Sequence, residues 1–402
     1  MRKKFSLILV ILFTVCLFGG CKGGDDLDSI IAIPDFIVEI PQGRDPIVLQ
    51  LTDTQIMDGA QTPPNKSSND RITYATELIP QYCYDYITEI VEETKPDLII
   101  ITGDLVYGCY DHNGSALKNF VDFMDTFEIP WAPVFGNHEN ESEMGVDWQC
   151  EQFINAKYCL FEQKELTGNG NYSVGILQGK KLIRVFYMLD SNGCSDASAQ
   201  SLSNGHTTKS VGFGNDQIEW FTKQIEQLKA LSPETKISFA FHIQMAVFAD
   251  GMKKYGFDQN VKSHSIYIDY LSKKAEGEFG YIGRQMKSPW DSTKSIFEQM
   301  RSMGVDSIFV GHEHCNSASV YYKSVRLQYG QKSSEYDRLN GITQDGKIIE
   351  IYLYNKQTKQ ATPLVGGSVI VLSETNGKIK DAYIYYCENA GGSVDWDGIM
   401  KK

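Results

Sequence analysis

The sequence predicts an α/β (α+β) domain, in which parallel strands joined by helices are extended by antiparallel ones. Three observations predict it. From residue 46 onward, short apolar runs alternate with helical patterns. Five of those runs end in Asp, Asn or His, as strands do when they deliver functional groups at their carboxyl tips. After about residue 316 the helical patterns stop and strand-like runs alone follow.

Residues 1–20 stand outside that domain. Arg2, Lys3 and Lys4 precede the 14-residue apolar run Phe5–Phe18, and Gly19-Gly20-Cys21 closes it. This is the layout of a secretory signal, and the run is shorter than the ~20 residues that span a bilayer. It resembles a bacterial lipoprotein signal peptide with Cys21 as the acylated residue. "KGGDD", Lys22–Asp26, resembles the acidic tether of surface-exported lipoproteins. The resemblance implies a protein held at the cell envelope by lipid on Cys21, on the outer membrane, periplasmic or surface side. Residues 21–45, with scattered Pro, Gly and Asp and no period, read as a flexible tether, and 46–402 as the folded domain.

Within the domain, Ile47–Leu51 reads as a buried strand interrupted only by Gln50 and ending in Thr52-Asp53. Ile87, Ile90 and Val91 mark a helix that Pro96 breaks, and Leu98–Ile101 then leads to Gly103-Asp104. Ala132–Phe135 leads to Gly136-Asn137-His138-Glu139. The run "LIRVFYML" ends in Asp190-Ser191-Asn192, read as a strand-end turn in preference to a substrate loop. From Asn215, "NDQIEWFTKQIEQLKAL" puts Ile218, Phe221, Ile225 and Leu228 on one helical stripe. Ile237–Phe241 leads to His242. "DSTKSIFEQMRSMG" repeats the helical pattern before a strand at Val305, and Ile308–Val310 leads to Gly311-His312-Glu313-His314. "SVYYKSVRLQYG", "KIIEIYLYN", "SVIVLSE" and "KDAYIYYCE" are the closing strands. The loops at roughly 192–213 and 248–290 carry no readable code.

Composition narrows the function. The chain has 402 residues, 42% hydrophobic and 12% aromatic, enough for a large core and unlike a disordered chain. Its net charge of −13 becomes −16 once residues 1–20 are removed, leaving 35 basic against 51 acidic residues. Such a chain does not bind nucleic acid through a general basic surface, which disfavours a nuclease. Any phosphate must be attracted locally, as a metal centre would do. Of nine cysteines, Cys83, Cys109, Cys150, Cys159, Cys194, Cys315 and Cys387 lie beyond the signal. No CxxC spacing suggests a zinc cage, and disulfide pairing is not readable from the sequence.

The chemistry collects at the strand tips. A lone Gly-Asp is a common turn, and a strand-end histidine is most often a core residue. "GHEH" carries more, because residues i and i+2 of an extended segment point the same way. The conjunction carries most: of seven histidines in the chain, His138, His242, His312 and His314 sit at these tips.

The ordered set "TD…GD…GNHE…H…GHEH" resembles the calcineurin-like metallophosphoesterase superfamily, from about residue 46 to 330. The resemblance implies a four-layer α/β/β/α sandwich with two metal ions at the carboxyl ends of the strands. Members of that superfamily often carry a histidine two residues after the first aspartate, where this chain has Gln55. The second motif, "GDLVYG", is similar to the GDxxY of purple acid phosphatases, whose tyrosine binds metal. Tyr107 is thus implied as the replacement ligand, its alternative being an aromatic packed beside a loop. Free phenol has a pKa of ~10, so ligation at neutral pH favours a strong Lewis acid such as Fe³⁺.

Carried over by position, Asp53, Tyr107, His314 and a bridging Asp104 would hold the first ion. Asp104, Asn137, His242 and His312 would hold the second. The ions implied are Fe³⁺ with Fe²⁺, Zn²⁺ or Mn²⁺. His138 resembles the catalytic histidine that contacts phosphate and helps protonate the leaving group, and Glu139 could orient it or lie at the surface. The chain departs from plant-type purple acid phosphatases in that 21–45 leaves no room for their N-terminal β-domain. It also lacks their further histidine motif after His242. The implied function is hydrolysis of small-molecule phosphate esters by a metal-bound hydroxide. The alternative is a non-catalytic surface lipoprotein binding a phosphorylated or glycan ligand.

Overall fold

Alternation along a strand decides which side chains meet across the molecule. In a computed structural model of the protein, which describes residues 24–57, 79–193, 212–256, 278–282, 293–314, 316–334, 338–342, 348–352, 362–363 and 365–387, two sheets stack with helices outside each. The chain starts with helix α1 (Gly24–Ile31) and strand β1 (Phe36–Ile40), and then enters the first buried strand, β2 (Ile47–Leu51). Helix α2 (Ile79–Thr94) precedes β3 (Leu98–Ile101), and α3 (Ser115–Asp125) precedes β4 (Trp131–Pro133). After α4 (Val146–Asn155) come the paired β5 (Tyr172–Gln178) and β6 (Lys181–Met188). Next are α5 (Asn215–Leu231), β7 (Lys236–Ala240), α6 (Val247–Lys254), β8 (Phe279–Ile282), α7 (Thr293–Ser302) and β9 (Val305–Val310).

Among the described residues the elements beyond β9 are strands, as the sequence leads one to expect. They are β10 (Asn316–Tyr322), β11 (Val325–Tyr329), β12 (Arg338–Ile342), β13 (Ile348–Tyr352), β14 (Thr362–Pro363), β15 (Gly366–Leu372) and β16 (Ile379–Tyr386). One sheet has five strands in the order β16-β15-β2-β3-β4, the other eight in the order β1-β5-β6-β7-β9-β11-β10-β8. In the first, β2, β3 and β4 run parallel and β15 antiparallel. In the second, β6, β7, β9 and β11 run parallel. Strands β12, β13 and β14 form a small separate sheet.

Leu49 and Leu51 face out from the five-stranded sheet toward Ile90 of α2, across Gly367. Gln50 therefore faces inward, to the eight-stranded sheet. Its amide donates to Val310 O at 3.0 Å and accepts from Gln328 Nε2 at 3.1 Å. The one polar residue of an apolar strand is a cross-sheet hydrogen-bonding group, fully buried and satisfied. Phe186 and Phe309 belong to the same inner core, while Val185, Tyr187, Phe239 and Ile308 join the outer core beneath α5, α6 and α7. The result is the four-layer α/β/β/α sandwich.

The flexible tether expected over 21–45 is corrected for its described part. β1 pairs parallel with β5 from Phe36↔Val174 to Ile40↔Gln178, and Val38 and Ile40 are buried. Leu27, Ile30 and Ile31 of α1 pack on the outer core. Five residues, four of them apolar, suffice for an edge strand once a partner exists, though too few to show a period in sequence. The leader and Cys21 lie outside the described residues. Part of the stretch read as a loop at 248–290 is also ordered, as α6 and β8. Among the described residues, no disulfide joins any two of Cys83, Cys109, Cys150, Cys159 and Cys387.

Candidate metal centre

The five tips meet at one end of the sandwich. Asp53, Asp104 and Asn137 arrive from β2, β3 and β4, and His242, His312 and His314 from β7 and β9 across the sheet interface. Each sits just past its strand, where the chain bends sharply. Asp53, Asp104 and His312 adopt φ values of 52°, 52° and 72°. Left-handed conformations cost of order 1–3 kcal/mol each for such residues and persist only where surroundings enforce them. Close approach explains the adjoining glycines: a Cβ on Gly103 would lie 2.6 Å from His242 Nδ1, and one on Gly311 would lie 2.8 Å from Asp53 Oδ2.

Two groups of ligand atoms result, each within 4.8 Å: Asp104 with His242 and His312, and Asp53 with Asp104 and His314. Asp104 belongs to both. His242 Nε2 lies 3.1 Å from Asp104 Oδ2 and 3.1 Å from Asn137 Oδ1, and His312 Nδ1 lies 2.8 Å from the same Asn137 oxygen. His314 Nε2 lies 3.3 Å from Asp53 Oδ1. Thr102 O, at 2.8 Å from His242 Nδ1, fixes that ring so that Nε2 turns toward Asp104.

Electrostatics matches the geometry. Burial alone would raise the Asp53 carboxyl, but the hydrogen bond and charge of His314 hold it below its ordinary value. Burial likewise opposes the Asp104 charge, and His242 and His138 overcome it, holding that carboxyl far below the usual range. For His242, burial is outweighed by Asp104, and the imidazole is pushed up to about 10. His312 goes the other way, down to about 3, through burial and then the charge of His242. Buried carboxylates thus hold a compensating proton on one imidazole and leave another neutral.

This donor set fits two divalent or trivalent cations. Asp104 Oδ1 accepts from His138 N at 2.9 Å, and the buried Oδ2 faces His242 Nε2 at 3.1 Å. A buried carboxylate shared by two nitrogen-and-oxygen clusters is the group two cations would share. Cation binding would take the place of the proton on His242, so uptake should release protons.

Other residues depart from expectation. Glu139 neither orients His138 nor lies at the surface. It is fully buried, and its carboxylate accepts from the backbone N–H groups of Gly136 (2.6 Å), Asp104 (3.2 Å), Leu105 and Val106 (3.3 Å). Burial, then the Asp104 charge, pushes it up to about 7. It ties the second and third motifs together. The residue that engages His138 is Glu141, whose Oε2 lies 2.7 Å from Nδ1. The other ring nitrogen, Nε2, lies 4.0 Å from Asp104 Oδ2.

Tyr107 stacks on His138, with ring centroids 4.1 Å apart and planes 26° from parallel. The structure therefore brings Tyr107 beside the centre through that ring. Gln55 is buried, and its Oε1 accepts from Lys332 Nζ at 3.0 Å. Asp190-Ser191-Asn192 is a buried turn: Asp190 accepts from Asn169 N and Asn192 N at 2.8 Å each, and Ser191 Oγ from Ile243 N at 3.0 Å. Spacing three residues from His138 could have found Glu141. Nothing local points to Lys332.

A model of the calcineurin-like phosphoesterase family matches residues 47–316. The chain is similar to probable inactive purple acid phosphatase 29 of Arabidopsis thaliana, at 24% identity over 307 residues, 70% of each protein. It is also similar to phosphatase DCR2 of Saccharomyces cerevisiae, at 22% over 241 residues, 58% of this chain and 38% of that one. Among solved structures, purple acid phosphatase PPD1 of yellow lupin (Lupinus luteus) is 14% identical, with a TM-score of 0.39 over 86% of this chain and 54% of that one. A dimetal phosphatase from Danio rerio is 11% identical, with a TM-score of 0.42 over 86% of this chain and 99% of that one.

Proposed function

Since this chain belongs to the calcineurin-like phosphoesterase family, we propose that it hydrolyses small-molecule phosphate esters at a binuclear, purple acid phosphatase-like centre. The observation that carries the reading is Asp104, a buried carboxylate shared by both ligand clusters.

Asp53, Asp104 and His314, with Tyr107 completing the set, would hold one cation. Asp104, Asn137, His242 and His312 would hold the other. When bound, the pair would supply Lewis acidity toward phosphate oxygens and lower the pKa of water to about 7, giving a nucleophile. The chain's own groups do the rest. Glu141 beside Nδ1 of His138 keeps that nitrogen's hydrogen in place, which directs Nε2 at the centre. An imidazolium so oriented gives its Nε2 proton to the leaving alkoxide oxygen. The stacked Tyr107 ring holds the imidazole plane. Because this pair of roles needs no basic surface, the acidic chain is no obstacle to a phosphate substrate.

A second reading is a non-catalytic lipoprotein that binds a phosphorylated or glycan ligand. Gln55 in the first motif supports it, as does the similarity to an Arabidopsis purple acid phosphatase described as probably inactive. The deciding experiment loads the protein with Mn²⁺, Zn²⁺ or iron and assays p-nitrophenyl phosphate against its bis ester, with metal analysis. Turnover that tracks two bound ions supports the enzyme. Two ions bound with no turnover of either ester supports the binding protein.

The location we propose is the cell envelope, through lipid on Cys21, on the pattern of the basic, apolar and Gly-Gly-Cys segments. Cys21→Ser should shift the protein from the membrane fraction to the soluble one or block its processing. A mutant that remains membrane-bound with a normally trimmed N-terminus would refute lipid attachment.

A further inference from the structure

The loops after β3 and β4 exchange carboxylates. Asp104 bends the first loop with a φ of 52°, and the N–H groups of Asp104, Leu105 and Val106 converge on Glu139 of the second. Consecutive N–H groups arranged in this way form an anion-binding concavity. Glu139 Oε1 accepts from Leu105 N and from Val106 N at 3.3 Å. Its Oε2 accepts from Asp104 N at 3.2 Å and from Gly136 N at 2.6 Å. In return, Asp104 Oδ1 accepts from His138 N at 2.9 Å, and Gly108 N donates to His138 O at 3.2 Å. Gly136 permits the approach, since a Cβ there would lie 2.4 Å from Asp104 N. Gln149 Nε2 anchors Glu139 from behind, donating to its backbone oxygen at 2.7 Å.

We propose that Glu139 is a positioning residue whose carboxylate fixes the Asp104 bend before any cation arrives, and so sets the affinity of both cation positions together. The inference deepens the binuclear reading and rests on it. Glu139 is in neither ligand cluster, so it acts through the backbone of Asp104, which is in both. A non-glycine residue keeps a left-handed bend only where its surroundings enforce it, and three of the four Glu139 bonds fall on that bend. Where the binding-competent arrangement is only partly populated, apparent affinity falls by that fraction. Because Asp104 serves both clusters, the fall is common to both. A buried negative charge would also attract cations without positioning anything, and two substitutions separate these causes.

The test is calorimetric titration of the cation-free full chain with Mn²⁺, alongside Glu139→Gln and Glu139→Asp. Glutamine keeps the volume but turns one acceptor oxygen into an N–H donor facing amide hydrogens. Aspartate keeps the charge but withdraws it by one methylene, so that it no longer spans both loops. Both variants should weaken both binding steps about tenfold or more and by similar factors, as loss of an outer-shell partner does. If one variant does not fold by circular dichroism, the other decides. A folded variant with native constants overturns the proposal, as does weakening of one step alone. Weakening in Glu139→Gln with native constants in Glu139→Asp assigns the effect to charge and likewise overturns it. A native chain that binds fewer than two ions refutes the binuclear centre and this inference with it. Weakening of both steps in a chain without phosphoesterase turnover leaves the proposal standing while refuting the enzyme.

Discussion

Glu141 lies 2.7 Å from Nδ1 of His138, three residues along the same loop, while the ring's other nitrogen faces Asp104. The His138 imidazole therefore stands between the Glu141 carboxylate and Asp104. A positioned acid matters most when the leaving group is a poor one. Glu141→Ala should lower kcat on an alkyl phosphate about 10–100-fold, and on 2,4-dinitrophenyl phosphate by less than about threefold. An equal loss on both substrates would show that Glu141 acts on something other than the leaving-group proton.

Asp104 tests the bridge. Asp104→Asn removes the negative charge common to both clusters while keeping the side-chain volume. We expect both bound ions to be lost or weakened together and turnover to fall by more than about a hundredfold. Metal analysis beside the assay decides it: near-normal turnover with two ions retained contradicts the shared role.

Tyr107 decides which metal chemistry applies. Tyrosinate on Fe³⁺ absorbs visible light, which a Zn²⁺ or Mn²⁺ site does not. Iron-loaded protein should be coloured, and Tyr107→Phe should abolish the band. The phenyl ring keeps the stack on His138, so the melting temperature should fall only by what the lost cation contributed. Activity should fall less than for Asp104→Asn. A colourless, fully active iron-loaded wild type would make Tyr107 a packing residue alone.

Asp190, beside His242 but in neither ligand cluster, gives a further pH dependence. Burial pushes its carboxyl up to about 6 from 3.8, against hydrogen bonds from Asn169 N and Asn192 N. Between those values the folded state holds more protons than the unfolded one, so stability falls as pH rises from about 4 to 6 and is level above. The drop amounts to about 3 kcal/mol at most. Denaturant unfolding of the wild type and Asp190→Asn across that range should show the slope in the first and its loss in the second. Parallel curves would place the titration elsewhere.

What the sequence determined by itself is local in origin. Buried strands are continuous apolar runs, and the groups they carry follow at their carboxyl ends, so Asp53, Asp104, Asn137, His242, His312 and His314 could be picked out before any fold was known. The helix at Asn215–Leu231 declared itself by its stripe. The tertiary structure decided what depends on partners far away in the chain. Gln50 reads as a flaw in a strand until Gln328 and Val310 are seen across the sheets. Glu139 reads as a loop acid until four amide hydrogens close around it, because burial depends on neighbours that no spacing encodes. Phe36–Ile40 reads as tether until β5 offers an open edge. Lys332 meets Gln55 across 277 residues of chain, where local periodicity carries no information, and only the fold brings that lysine to the first motif.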